Sequence, residues 1–272
     1  MNPDHYPYEP FALAFERIRD DDWIARCEFY DTLDSTNDFL KRSIEGEPDE
    51  NLPRLVVAKN QTAGRGRGQN RWWSPAGVLT FSILTSGQMK ERTHERLPEL
   101  SLVTAIAVAN ALDNILSVPS ELKWPNDVYV QGKKICGILV ESTMKNRSVH
   151  SVIGIGINVA VDISSAPDDI REKVTSMHLH ATRQPNLDEV LVLCVRSLAE
   201  SIERWQADNK YVVTSFRSRC YLQDKFVEVE SNGITVRGIC QGINEQGELL
   251  VQNETGQRAT IRAGVIRVIQ SA

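Results

Sequence analysis

Apolar residues at positions 97, 100, 103, 106, 107 and 115 recur at helical intervals, which predicts a helix over residues 96–116 with one face packed on a sheet. Leu187, Leu191, Cys194, Leu198, Ile202 and Trp205 step by threes and fours down a second amphipathic helix, so Cys194 and Trp205 read as core. Short β-rich runs at 29–33, 55–58, 78–84, 122–130, 135–142 and 149–161 predict strands, with Gln131-Gly132 as a hairpin turn. Asp34-Ser35-Thr36 is placed to cap a helix over 37–43. These alternations of strand and helix put most of the chain in one large domain.

Near Tyr221 the texture changes. Helical spacing gives way to short β-type segments at 226–230, 234–242, 249–253 and 259–262, separated by Asn232-Gly233, Gln246-Gly247 and Thr255-Gly256. Such spacing predicts a small β-barrel. The expected division is an acidic N-terminal arm (1–28), a main domain (29–219) and a C-terminal barrel (220–272). The run Asp20-Asp21-Asp22 gives the arm a solvated or frayed character.

The 272 residues suffice for a large and a small domain, each with a core. Lys and Arg number 31 against 36 Asp and Glu, a net charge of −5 that weighs against a generic nucleic-acid binder, so any basic patch must be local. Five cysteines without a Cys-x-x-Cys pair suggest reduced thiols and a cytoplasmic setting. No run approaches the roughly 20 apolar residues of a membrane span, and the N-terminus lacks a secretory pattern, so neither membrane nor export is expected.

The local basic patch is Gln61-Thr62-Ala63-Gly64-Arg65-Gly66-Arg67-Gly68-Gln69-Asn70-Arg71-Trp72. Gly64, Gly66 and Gly68 let backbone take positive φ and approach a ligand, while Arg65, Arg67 and Arg71 offer forked donors to phosphate or carboxylate oxygens. A solvated loop paired with nearby acids is the alternative. Three further segments carry polar residues that strand or helix propensity does not require. They are Asp34-Ser35-Thr36-Asn37; Lys123-Trp124-Pro125-Asn126-Asp127 running on to Lys133-Lys134-Ile135-Cys136-Gly137-Ile138-Leu139-Val140-Glu141; and Gly154-Ile155-Gly156-Ile157-Asn158.

In this order and spacing the four segments resemble the catalytic domain of biotin protein ligases, which adenylate biotin and attach it to a carrier-protein lysine. The similarity covers residues 30–160 at motif level and the rest more weakly. It implies an α+β fold: a class II aminoacyl-tRNA-synthetase-like catalytic domain, a mixed sheet flanked by helices, followed by an SH3-like β-barrel. It also implies ATP and biotin as substrates, Mg2+, and a biotin carboxyl carrier domain of a carboxylase as partner. A homodimer is among the assemblies it admits.

By the same resemblance, Lys134, Arg67 and Arg65 are the catalytic cations. Biotin falls to Ser35, Thr36, Asn37, Gln61, Gly64, Arg65, Gly66, Arg67, Lys134, Gly137, Gly154 and Gly156. The nucleotide falls to Arg67, Arg71, Trp72, Lys123, Asn126 and Asn158, with Asp127 near the metal. The chemistry suits these types: a carboxylate and an α-phosphate repel, and cations must offset that repulsion. A neutral ureido ring wants a few directed hydrogen bonds in an apolar wall. For the glycines a strand bulge, and for Trp72 a buried aromatic, remain alternative readings.

Many bacterial members carry an Arg where Asn70 stands, which puts that contact in doubt. Only residues 1–33 precede the first motif, so no repressor-type winged helix is expected, and with it no DNA binding. The rival activity is a lipoate or octanoate protein ligase, which shares the fold but resembles the Arg-Gly loop and the Lys-Trp-Pro-Asn-Asp segment poorly. A rival from another class is a nonenzymatic RNA or single-strand binder, against which the acidic balance weighs.

Overall fold

In the computed structural model, which describes residues 11–88, 96–145 and 148–268, the first element is helix α1 (Ala12–Arg19). It turns Ala14, Phe15 and Ile18 into the core, where it meets the long helix over residues 187–207. Residues 12–19 therefore depart from the solvated arm expected there. Burying a Phe or Ile stabilises by about 1.5–3 kcal/mol, and Asp20, Asp21 and Asp22 remain exposed beside it at no desolvation cost. Residues 1–10 of that expected arm lie outside the described residues.

Strand β1 (Arg26–Leu33) runs parallel to β2 (Arg54–Gln61), with helix α2 (Thr36–Ser43) in the crossover. Antiparallel β3 (Val78–Gln88) follows the glycine-arginine loop. Helix α3 (Leu100–Leu112) leads to β4 (Glu121–Lys123), β5 (Asp127–Val130), β6 (Lys133–Lys145) and β7 (Ser148–Asn158). These seven strands form one mixed sheet in the order β1-β2-β3-β7-β6-β5-β4. The short helix α4 (Asp168–Arg171), the long α5 (Leu187–Ala207) and α6 (Tyr211–Arg217) complete this layer.

A second, antiparallel sheet is built from β8 (Phe226–Ser231), β9 (Ile234–Ile243), β10 (Leu249–Gln252), β11 (Arg258–Ile261) and β12 (Val265–Val268). Its order is β11-β10-β9-β8-β12. The α+β class with a separate C-terminal β unit is thus as expected. α6 and β12 were not anticipated, since each is too short to show a period.

Two further expectations are corrected. Residues 122–130 are not one strand: Trp124, Pro125 and Asn126 make the turn between β4 and β5, because a proline has no N–H to give to a ladder. The helix over 96–116 does not bury one face. α3 is shorter and buried almost all round, since α5 covers the side that the sheet does not.

Side chains alternate across the sheet with period two. Leu55, Val57, Phe81, Ile83, Ile153 and Ile155 join the core cluster under α3 and α5. Val56, Leu84 and Val152 face the other way, into a small cluster with Leu40 and Ile44 of α2. The same parity sends Ser82, Gly154, Gly156, Gly137 and Glu141 to the α2 face, and the register pairs Gly137 with Gly156 and Leu139 with Gly154.

Candidate active site

α2 covers only part of its sheet face, and beside it opens a cleft of about 580 Å3. Ser35, Thr36, Asn37, Gln61, Arg65, Gly66, Arg67, Arg71, Trp72, Lys123, Asn126, Asp127, Lys134, Gly137, Gly154 and Gly156 all line it. Four motifs separated in the chain therefore converge. Two expected residues stand apart. Gly64 does not line the cleft; a Cβ there would meet the Trp72 carbonyl oxygen at 2.6 Å. Asn158 is buried at the end of β7, its amide donating to the Thr175 carbonyl at 2.9 Å, so its side chain is engaged elsewhere.

The floor is made of glycine because larger side chains from outside rest on it. A Cβ at Gly156 would come within 2.3 Å of Trp72 Cε2, and one at Gly137 within 3.0 Å of Trp72 Cζ3 and 3.1 Å of Lys134 Nζ. At Gly154 it would lie 2.0 Å from Asn37 Oδ1. Trp72 and Asn37 can reach the sheet only where Cβ atoms are missing, and Lys134, itself on β6, lies over Gly137 beside them.

At the α2 end the polar groups are fixed by one another. Ser35 is the N-cap of α2, accepting from Asp38 N at 3.4 Å. Gln61 Oε1 accepts from Thr36 N at 2.8 Å and from Thr36 Oγ1 at 3.2 Å. Ser82 Oγ lies 2.7 Å from both Thr36 Oγ1 and Asn37 Oδ1. Asn37 Nδ2 donates to Leu139 O and to Glu141 Oε2, each at 3.1 Å. The result is a buried hydroxyl and amide set on a dry floor, suited to a neutral polar head group.

The glycine-arginine loop is a small hairpin. Trp72 N donates to Gly64 O at 3.0 Å, Gly66 N to Asn70 O at 2.8 Å, and Asn70 Nδ2 to Arg67 O at 3.0 Å. Asn70 thus closes the turn. Of the three loop glycines only Gly68 takes positive φ, at 65°; Gly64 and Gly66 serve close backbone approach instead.

The cations differ in availability. Arg65 is held by carboxylates: Nη1 donates to Asp38 Oδ1 at 2.5 Å and Glu141 Oε2 at 3.0 Å, and Nη2 to Glu141 Oε1 at 3.1 Å. Burial opposes its charge, but those bonds outweigh it and raise its pKa. Arg65 thus lines the cleft with its charge already offset by Asp38 and Glu141. Arg67 donates to the Gly264 carbonyl at 3.0 Å, and burial lowers its pKa against the pull of Asp127. Lys134 Nζ lies 2.6 Å from Asp127 Oδ1 and 5.6 Å from the Trp72 ring centroid. Lys123 donates to Tyr129 Oη at 3.0 Å; burial lowers its pKa, Asp127 raises it, and Lys134 and Lys225 lower it further. Asn126 Nδ2 donates to Ile138 O at 2.6 Å, which ties the turn after Pro125 to β6.

One end of the cleft therefore offers directed neutral hydrogen bonds and the other offers cations in a partly dry setting, with the Trp72 indole between. Such a site can hold a molecule with a neutral head and an acidic tail while a phosphate approaches that tail. The sequence analysis assigned no role to Ser82, to Asp38 or to Glu141, the end of the segment it singled out, and it did not reveal the C-terminal wall formed by Glu230, Ser231, Asn232 and residues 263–266. Only their position in space marks them.

Comparison with known proteins gives the same direction. The model of the biotin/lipoate A/B protein ligase family matches residues 29–158, and that of the biotin protein ligase C terminal domain matches residues 224–268. The bifunctional ligase/repressor BirA of Escherichia coli K12 is 31% identical over 231 residues, covering 82% of this chain and 68% of that protein. The biotin--[acetyl-CoA-carboxylase] ligase of Mycobacterium tuberculosis is 29% identical over 235 residues, 85% and 84% of the two chains. Among solved structures, the biotin protein ligase from Aquifex aeolicus in complex with biotin and ATP superposes with a TM-score of 0.76 at 29% identity, covering 90% of this chain and 99% of that one.

Proposed function

Because this chain belongs to the biotin protein ligase family, we infer that it activates biotin with ATP to biotinyl-5′-AMP and transfers the biotinyl group to a lysine of a biotin carboxyl carrier protein. The observation that carries this reading is the two-ended cleft, amide and hydroxyl groups at the α2 end and Arg67, Lys134 and Lys123 at the other.

In this reading Ser35, Thr36, Asn37 and Gln61 receive the ureido head, with Gly154 beneath. Lys134 sits where the carboxylate of biotin meets the α-phosphate, and its compact charge can follow an oxygen as bonds change. Arg67 and Arg71 face the phosphate side, and Trp72 covers the adenylate. Asn126 shapes the nucleotide wall and Lys123 adds charge behind it. Arg65 acts on the loop rather than on the ligand, and Asn158 on the end of β7.

Mg2+ entering on ATP phosphates needs only one or two protein carboxylates. Asp127 supplies one in the cleft beside Lys134. Bound there, the metal would neutralise phosphate charge. Five free cysteines and ATP consumption favour a cytoplasmic setting; no helix among the described residues is long and apolar enough to cross a membrane. The net charge of −5 favours ligation without duplex binding.

The test is exchange of labelled pyrophosphate into ATP with biotin, with lipoate, and with no acid. Biotin alone should support it. Exchange driven by lipoate and not by biotin would move the chain to the rival activity.

A further inference from the structure

Glu141 has no role in the reading above, yet its carboxylate joins the glycine-arginine hairpin, α2 and β6. Oε1 accepts from Lys41 Nζ at 2.8 Å and Arg65 Nη2 at 3.1 Å; Oε2 accepts from Asn37 Nδ2 at 3.1 Å and Arg65 Nη1 at 3.0 Å. Both oxygens are thus fully engaged. Asp38 holds the same guanidinium from α2. Two cations and two carboxylates cancel, so the cluster adds no net charge to the cleft and is built to hold, not to bind an anion.

We propose that Glu141 is a positioning residue for biotin activation, pinning the base of the hairpin through Arg65 and orienting the Asn37 amide before any ligand arrives. The two functions share one carboxylate. Asn37 Oδ1 is set by Ser82 on one side while its Nδ2 is set by Leu139 O and Glu141, which fixes the amide against Gly154. Arg65 is the hinge side of the loop: it bridges to Arg71 across the hairpin, and beyond it Arg67 to Asn70 form the turn. A loop with Gly64, Gly66 and Gly68 loses much backbone freedom when it closes. Anchoring its base in advance reduces the entropy that ligand binding must overcome. The Glu141 pair is bidentate and half-buried, with side-chain exposures of 35% for Arg65 and 21% for Glu141, so water screens it less than a surface pair.

This inference rests on the biotin reading for its activity arm alone. Glu141→Gln keeps the shape, removes the charge, and turns an amide N–H2 toward Lys41 or Arg65. The biotin concentration for half-maximal exchange should rise about tenfold, the size of breaking one coupled charge network, while turnover at saturating biotin stays within about threefold. In ligand-free protein, trypsin should cut after Arg67 or Arg71, the sites present in every variant compared, about tenfold faster. Arg65→Gln, which opens the same tie from the loop side, should reproduce both changes, and the double variant should add nothing to either single one. Unchanged half-saturation and cleavage in Arg65→Gln, or additive losses in the double variant, overturn the proposal; Arg65→Gln also decides it should Glu141→Gln fail to fold. If the biotin reading fails instead, wild-type exchange with biotin is blank and the trypsin arm still reports whether Glu141 pins the hairpin.

Discussion

The Trp72 indole rests against the backbone of Gly156, where an added Cβ would stand 2.3 Å from Cε2 and 2.5 Å from Nε1. Nε1 itself is buried without a partner among the described residues. The indole is therefore held by packing on the glycine floor and by Lys134 Nζ, 5.6 Å from its ring centroid, with no hydrogen bond from Nε1 among the described residues.

Gly156→Ala must displace that ring, because the methyl group and the indole cannot share the space. The protein should lose about 1–3 kcal/mol from overpacking. ATP half-saturation should rise about tenfold or more while that for biotin, which the proposed function seats toward α2, changes less. Tryptophan fluorescence and separate titrations of the two substrates check this; equal effects on both would detach Trp72 from the nucleotide.

Lys134→Ala removes the cation closest to the proposed meeting point of carboxylate and phosphate. Loss of one preorganised donor corresponds to about 3 kcal/mol, or two to three orders of magnitude in exchange rate. Asp127 Oδ1, 2.6 Å from Nζ, loses its ion-pair partner as well, so the variant needs a thermal scan beside the assay. A folded variant with wild-type exchange would remove Lys134 from its place.

What could be read from the chain was chemistry clustered locally. Arg67, Trp72, Lys134 and Gly156 announce themselves because several unusual residues sit together. Glu141 closes a segment the sequence marks, but its purpose was illegible there, as was that of Asp38, because their partner Arg65 is 76 and 27 residues away. The same limit hid the role of Arg65, whose charge was legible and whose neutralisation was not. Pro125 signalled a turn that the β propensity of its neighbours masked. In α3 the burial of every side follows from α5, which no window on α3 contains.

Arg67→Gly frees the loop tip from the C-terminal sheet by deleting the 3.0 Å bond to Gly264 O. In the proposed reading, closure of the loop then loses both a phosphate-side cation and a tether. Released biotinyl-5′-AMP, and labelling of unrelated lysines, should rise about tenfold or more. Adenylate release equal to wild type would show that the tip does not retain the intermediate.

Trp124→Phe tests how the turn after β4 is held. Trp124 is 3% exposed and its Nε1 donates to Gly247 O at 2.9 Å. Phenylalanine leaves that carbonyl unpaired, at a cost of about 1–3 kcal/mol. Urea unfolding should move to lower concentration by the corresponding amount, and an unchanged midpoint would mean that water satisfies Gly247.

Acid should dissolve the Glu141 anchor at a pH that its environment sets. Burial acts to raise the Glu141 pKa, but the bonds from Lys41, Asn37 and Arg65 outweigh it and leave the group below the ordinary 4.5. A carboxyl group whose folded-state pKa is depressed contributes stability that is complete above its unfolded value and is lost as pH falls through the folded one. The difference in thermal midpoint between wild type and Glu141→Gln should therefore hold from pH 7 down to about pH 5 and shrink only below 4.5. The exposed Asp34–Arg42 pair also titrates low, its Asp held at about 2 by the Arg42 hydrogen bond, but water screens it, and it is common to both proteins, so it cancels in the comparison. A difference that vanished between pH 7 and 5 would place the Glu141 pKa above 4.5, and the bonds from Lys41, Asn37 and Arg65 would then not be what holds the carboxylate.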